Sequence, residues 1–249
     1  MQRIAIFGAT SAIAGACARL LVRQGRHLFL VGRNKEKLEA LAEDLRCLAA
    51  GSGSKVLTAQ ADLDNCEGHE PLFDSAEQGL GGLDAILIAH GSLSDQRACE
   101  QSAALMIREV HLNALSVASL LTIAANRFEA AQRGVIAAIS SVAGDRGRKS
   151  NYVYGAAKGF ISLFMQGLRN RLHRKGVRVV TIKPGFVITP MTAHMERKGA
   201  LWATPERVAK SIVRAMERAD GEVYCPSFWR AIMWVIRHIP ERIFKRMSL

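Results

Sequence analysis

The chain has 249 residues, 49% of them hydrophobic, which suits the buried core of one α/β domain better than two. A net charge of +12 suggests acidic partners or simple solubility, but the cations gather in "RNRLHRKGVR" (169–178) and the last twenty positions without an aromatic-studded groove, so nucleic acid is not the expected partner. The five scattered cysteines (Cys17, Cys47, Cys66, Cys99, Cys225) fit neither a disulfide framework nor a zinc site, the histidines lack ligand spacing, and no metal is expected.

The opening "MQRIAIFGAT" carries no basic, long apolar or cleavage-site pattern of a secretion signal, so a cytoplasmic location is expected. Short apolar, β-branched runs follow one another: 3–7, 27–31, 55–60, 83–90, 134–141 and 177–183. Such runs suit strands covered on both faces. Helical stretches lie between them, as in 34–50, where Leu38, Leu41, Leu45 and Leu48 recur opposite a charged face. The alternation predicts a single-domain, Rossmann-like, doubly wound parallel sheet over 1–227.

Directly after the first strand, "GATSAIAGACARLL" begins at Gly8. A glycine turn at a helix N-terminus lets backbone N–H groups approach a pyrophosphate, although an ordinary strand-to-helix turn reads the same. Past the second strand stands Arg33 where an acidic residue would bind a ribose hydroxyl; an arginine suits a 2′-phosphate, or is a solvated charge. Asp62, after the third strand, can accept from an adenine amino group or simply cap a helix. His90, in "IAHG" after the fourth strand, reads as structural. Asn113 is a polar residue within a long apolar helix, either a water anchor or a satisfied core amide.

Ser141 ends the fifth strand, where parallel sheets bind ligands, and Tyr154 and Lys158 follow in "SNYVYGAAK". Four residues apart on a helix, Tyr154 and Lys158 share a face, whereas Tyr152 points elsewhere, as a wall of the substrate pocket. A nearby ammonium is expected to lower the phenol's pKa toward the working range. The stretch 185–203 fits no regular pattern and reads as a substrate lid. Residues 228–249 form a tail, apolar nearly all round from Phe228 to Ile239 apart from Arg230 and Arg237. After Pro240, which should break the helix, Arg242, Lys245 and Arg246 face away from Ile243, Phe244 and Met247. With Trp229 and Trp234, this suits an anionic membrane surface, and packing on the core or a second subunit is the alternative.

In this order, "GATSAIA", "ADL", "NALS", the serines at 140–141, "YGAAK" and "KPGFVITPM" resemble the short-chain dehydrogenase/reductase family over essentially the whole chain. The resemblance implies Ser141 as carbonyl-orienting group, Tyr154 as acid-base, Lys158 as the cation beside it and Asn113 as anchor of a relay water. It implies NADP(H) held by Gly8, Thr10, Ser11, Ala12, Ile13, Arg33, Asp62, Leu63, Ala89, Gly91, Tyr154, Lys158, Pro184, Gly185, Val187 and Thr189. Two positions depart from the pattern: Ala12 and Ala14 replace glycines, and "IAHG" replaces Asn-Asn-Ala-Gly. Within the family, "IAHG", "AGDRGRKSNYVYGAAK" and "IMWVIRHIPERIFKR" are most similar to the decaprenylphosphoryl-2-keto-ribose reductases of arabinan precursor synthesis. That likeness implies a lipid-phosphate-linked 2-keto pentose as substrate and a flavin oxidase as partner; a homo-oligomer is expected as well.

Overall fold

The computed structural model describes residues 1–195 and 199–247. Its first strand, β1 (Arg3–Phe7), is buried on both faces because sheet neighbours flank it and helices cover it. The glycine turn leads into α1 (Ala12–Arg23), whose N-cap Ser11 accepts from the Ala14 N–H at 3.2 Å. Then come β2 (His27–Gly32), α2 (Lys35–Leu48) capped by Asn34, β3 (Val56–Gln60), α3 (His69–Leu80) and β4 (Ala85–Ile88). Helices α4 (Gln96–Gln101) and α5 (Ala103–Val110) follow; α5 passes through a π-helical turn, His111–Leu115, into α6 (Ser116–Ala131). The second half contains β5 (Gly134–Ile139), α7 (Tyr152–Leu172), β6 (Val177–Pro184), β7 (Phe186–Val187) and β8 (Trp202–Ala203). It ends with α8 (Pro205–Arg218), β9 (Gly221–Cys225), α9 (Trp229–His238) and α10 (Glu241–Phe244).

Seven strands form one parallel sheet in the order β3-β2-β1-β4-β5-β6-β9. One apolar layer joins the sheet to α1, α2 and α8 through Leu21, Leu38, Ile212 and Met216. The other joins it to α3, α6 and α7 through Phe73, Leu120, Phe128 and Met165, with the Phe7 and Phe73 rings 5.1 Å apart. The chain winds outward in both directions from β1 and β4, so the connections at their carboxyl ends diverge and leave a crevice. The helical stretch Ala103–Ala131 is long and apolar enough by composition to cross a bilayer, but Leu120, Leu121 and Ala124 on it are buried against the sheet.

The six expected strands are present, with shorter carboxyl ends at 85–88 and 134–139, where the backbone leaves the sheet for the site. The seventh strand, β9, was not foreseen. Its "GEVYC" is half-buried at the sheet edge and lacks the continuous apolar run that marks the inner strands. The expected lid, 185–203, is closed at its base by the parallel pair β7–β8, with Phe186 and Trp202 stacked at 5.2 Å; residues 196–198 lie outside the described residues.

The tail breaks before Pro240 as expected, and one side of it docks on the domain. Trp229 and Met233 are buried with Val142. The membrane reading of Trp229 is therefore corrected: its indole packs over Gly185, where a Cβ would overlap the ring, and against Phe186. Trp234 alone of the two tryptophans points outward, 63% exposed. Phe244, expected on the free apolar face, instead sits beneath the Arg146 guanidinium, 3.7 Å from ring centroid to Cζ.

Candidate active site

Each predicted site residue from the strand connections lies beyond the carboxyl end of a strand: Gly8 after β1, Arg33 after β2, Asp62 after β3, Ala89 and Gly91 after β4, Ser141 after β5, Gly185 after β6. Gly8 has φ +83, and its N–H and that of Ala9 both donate to the Val31 carbonyl at 2.9 Å. A Cβ at Gly8 would stand 2.5 Å from the His90 nitrogen, so glycine alone lets the first turn close onto the β4 connection. Thr10 is exposed, and Ser11, Ala12 and Ile13 are half-buried at the N-terminus of α1, whose first-turn N–H groups have no helical acceptors. Ala14 is fully buried, so at this position the methyl serves packing.

The Arg33 and Asp62 side chains face each other at 4.0 Å, 76% and 52% exposed. So loose a surface pair contributes little, and the guanidinium is free to take a phosphate. Leu63 is buried below them. On the other side of the crevice Gly185 donates to the Cys225 carbonyl at 3.1 Å, Val187 is buried, and the Thr192 hydroxyl ties down the Val187 and Thr189 carbonyls at 2.6 and 3.1 Å.

Tyr154 and Lys158 occupy the first two turns of α7. Their relation to Ser141 is set by backbone contact. Ser141 caps the 3₁₀ turn Val142–Asp145, accepting from the Ala143 N–H at 3.1 Å. A Cβ on Gly144 in that turn would fall 2.6 Å from the Lys158 carbonyl carbon and 2.7 Å from the Gly159 nitrogen; one on Gly155 would fall 2.9 Å from the Ala143 oxygen. The turn and helix thus touch main chain to main chain. Ser140, buried beside them, donates to the Lys158 carbonyl at 2.8 Å and locks the same junction.

Lys158 is buried, donates to the Ile139 carbonyl at 3.2 Å, and is pushed down to about 8 by that burial. The expected lowering of the phenol is not found in the protein alone. Burial pushes Tyr154 up to about 12, against the hydrogen bond from Ser141. The Lys158 ammonium lies 5.7 Å from the Tyr154 ring centre, which does not offset the desolvation of a phenolate. Tyr152 is 46% exposed at the start of the helix.

Asn113 sits in the π-helical turn with its side chain committed: the amide donates to Ser92 Oγ and the Glu109 carbonyl, both at 3.0 Å, and accepts from the Ser92 N–H at 3.0 Å. It holds the Gly91–Ser92 connection, and Gly91 at φ +144 admits both its oxygen and the Lys158 ammonium. His90 donates from Nε2 to Ser116, whose hydroxyl is spent on the Leu112 carbonyl; burial and the Lys158 charge push its pKa down to about 3. It is a neutral structural residue. Sequence reasoning gave Ser140 no role of its own and missed Ser92, Glu109 and the buried pair Lys183–Asp145 at 2.7 Å, to which Tyr224 adds a hydrogen bond. No local pattern marks these, because each has a partner 17 or more residues away.

A doubly wound sheet with Ser, Tyr and Lys converging at its carboxyl edge is the layout of an oxidoreductase acting between alcohol and carbonyl. Residues 2–199 match the family model described as short chain dehydrogenase, and the chain belongs to that family. It is 37% identical over 244 residues to an uncharacterized oxidoreductase of Mycobacterium tuberculosis, covering 98% of this chain and 96% of that one. Another, from Streptomyces coelicolor, is 30% identical over 251 residues, covering 99% and 96%. Among solved structures, levodione reductase superposes with a TM-score of 0.80 at 21% identity, covering 92% and 98%. An actinorhodin polyketide ketoreductase crystallised with NADPH gives 0.78 at 22%, covering 90% and 95%.

The main-chain contact generates a prediction. Gly144→Ala should lower the melting temperature by the equivalent of about 1–3 kcal/mol, because backbone on both sides leaves the methyl no room. The surviving folded protein should also lose turnover, read by calorimetry and steady-state kinetics on one preparation.

Proposed function

We propose that the chain is an NADPH-dependent ketoreductase. The observation that carries this is the junction of Ser141, Tyr154 and Lys158, built main chain on main chain beside a glycine cradle at Gly8. NADPH, when bound, supplies a hydride from its nicotinamide ring. Gly8, Ser11, Ala12 and Ile13 would hold its pyrophosphate, Arg33 its 2′-phosphate, and Val187 and Thr189 its nicotinamide end.

The protein's own groups handle the oxygen. Ser141 donates a hydrogen bond to the ketone oxygen and orients it. With its pKa near 12, Tyr154 is protonated at neutral pH and gives its proton to that oxygen as negative charge develops there. The Lys158 cation stabilises the phenolate left behind. One hydride on carbon and one proton on oxygen make the alcohol.

The finer reading is a 2-keto pentose on a polyprenyl phosphate, reduced by an enzyme kept on the cytoplasmic side and seated on the membrane through its tail. Support comes from the tail's undocked side, where Trp234, Val235 and Ile243 are 63%, 56% and 55% exposed beside exposed Arg242, Lys245 and Arg246. That mix suits anionic lipid. A general reductase of a small ketone or acyl thioester is the second reading, and self-association is favoured by a separate exposed apolar face at Leu163 (70%) and Ile107 (61%).

Tyr154→Phe should keep NADPH binding, followed by fluorescence titration, and lower ketone reduction by about 100-fold or more; near-normal turnover would remove Tyr154 as the acid. In the parent enzyme, reduction should fall as pH rises past about 8, because Lys158, with its lowered pKa, is charged below that value and neutral above it. Arg33→Ala should raise KM for NADPH by about tenfold or more while leaving NADH use unchanged; equal effects on both would contradict a 2′-phosphate contact. Flotation with phosphatidylglycerol vesicles should carry the parent chain and leave Trp234→Ser/Ile243→Ser behind. Recovery of both proteins in the soluble fraction would dismiss the membrane reading.

A further inference from the structure

Arg146 ties the tail to the turn that follows Ser141. Arg146 follows directly on the 3₁₀ turn that begins after Ser141, and its guanidinium, 14% exposed, is spent on the tail. It donates to the Ile236 and Ile239 carbonyls at 2.6 Å each and to that of Arg237 at 3.3 Å, the last acceptors of α9. It pairs with Glu241 at 3.0 Å and covers the Phe244 ring. A cation at a helix carboxyl end meets both unsatisfied carbonyls and the negative pole of the helix. The same turn contributes Val142 to the apolar contact with Trp229 and Met233.

On its inner side the turn is held by different groups. Asp145 accepts from Lys183 and Tyr224 at 2.7 Å each, with both members of the ion pair 3% exposed, and Gly144 lies on the backbone of α7. The five residues after Ser141, 142–146, thus engage the strand pair β6–β9, helix α7 and the tail. Trp229 extends the tail's hold to Gly185 and Phe186, in the segment assigned to the nicotinamide end.

We infer that Arg146 is a positioning residue, making carbonyl activation by Ser141 depend on the docked C-terminal tail. The inference rests on the assignment of Ser141 as the carbonyl-binding group. A displacement on the order of 1 Å at such a group costs about 100-fold in rate, and Arg146, with three tail carbonyls and Glu241 as partners, is the most extensive polar link among the described residues by which the tail resists it; Arg148 adds a contact to Met233 Sδ at 3.6 Å. Whatever occupies the outward face of the tail therefore acts on a helix whose carboxyl end is fastened to the serine turn.

The test is a double-mutant cycle in the full-length chain, read as NADPH oxidation with a ketone substrate, with cofactor affinity measured by fluorescence. Arg146→Ala is expected to lower kcat by about tenfold or more, with the NADPH Kd within about twofold of the parent. In a Ser141→Ala background the same change should cost less than about threefold, because its effect is already absent. A general loss of folded protein would instead be additive in the two backgrounds. Additivity, or an Arg146→Ala enzyme within about twofold of the parent in kcat, overturns the inference. If Arg146→Ala does not fold, Arg146→Lys, which keeps the charge and a single donor group, is put through the same cycle and judged by the same criteria. Failure of the underlying assignment is distinguishable: Ser141→Ala alone would then retain normal turnover.

Discussion

Where the turn after Ser141 crosses the first turns of α7, the two backbones meet with no side chain between them, because Gly144 and Gly155 supply none. Much else in the site follows from that contact. It fixes the backbone that carries Ser141 relative to that of Tyr154 and Lys158, and the Ala143 N–H then holds the serine Oγ at 3.1 Å. Ser140 adds a hydrogen bond across the junction, and Gly91 makes the same kind of opening for Asn113 and Lys158 on the neighbouring strand connection. Ser141, Tyr154 and Lys158 are therefore held by the absence of side chains as much as by their presence.

Burial gives these groups their chemistry. A lysine in a dry site loses part of its preference for the charged form, and a tyrosine there resists ionisation. This arrangement suits the proposed reduction: Tyr154 remains protonated at neutral pH and the Lys158 cation is still present beside it. Neutral His90, wedged under Gly8 and tied to Ser116, adds no competing proton to the site and braces the β1 and β4 connections against each other.

The tail is part of this construction. Trp229 and Met233 close one wall, Arg146 fastens the end of α9, and Trp234, Val235 and Ile243 are left outside. Its two sides thus differ: one packs on the domain through Trp229 and Met233, and the other leaves Trp234, Val235 and Ile243 exposed.

What the amino-acid sequence determined by itself was periodic or local. Short apolar, β-branched runs marked six of the seven strands of the sheet, the i, i+4 spacing selected Tyr154 over Tyr152, and the glycine turn after β1 marked the crevice, because each signal lies within one element and its caps. Tertiary structure decided what depends on distant partners. The edge strand β9 is half-polar and is a strand only because β6 lies beside it. Trp229 is inside and Trp234 outside because Gly185 leaves room for one indole. The Lys183–Asp145 pair, the commitment of Asn113 to Ser92, and the span of Arg146 across some ninety residues to the tail arise from chain reversal in space, which no window of sequence records.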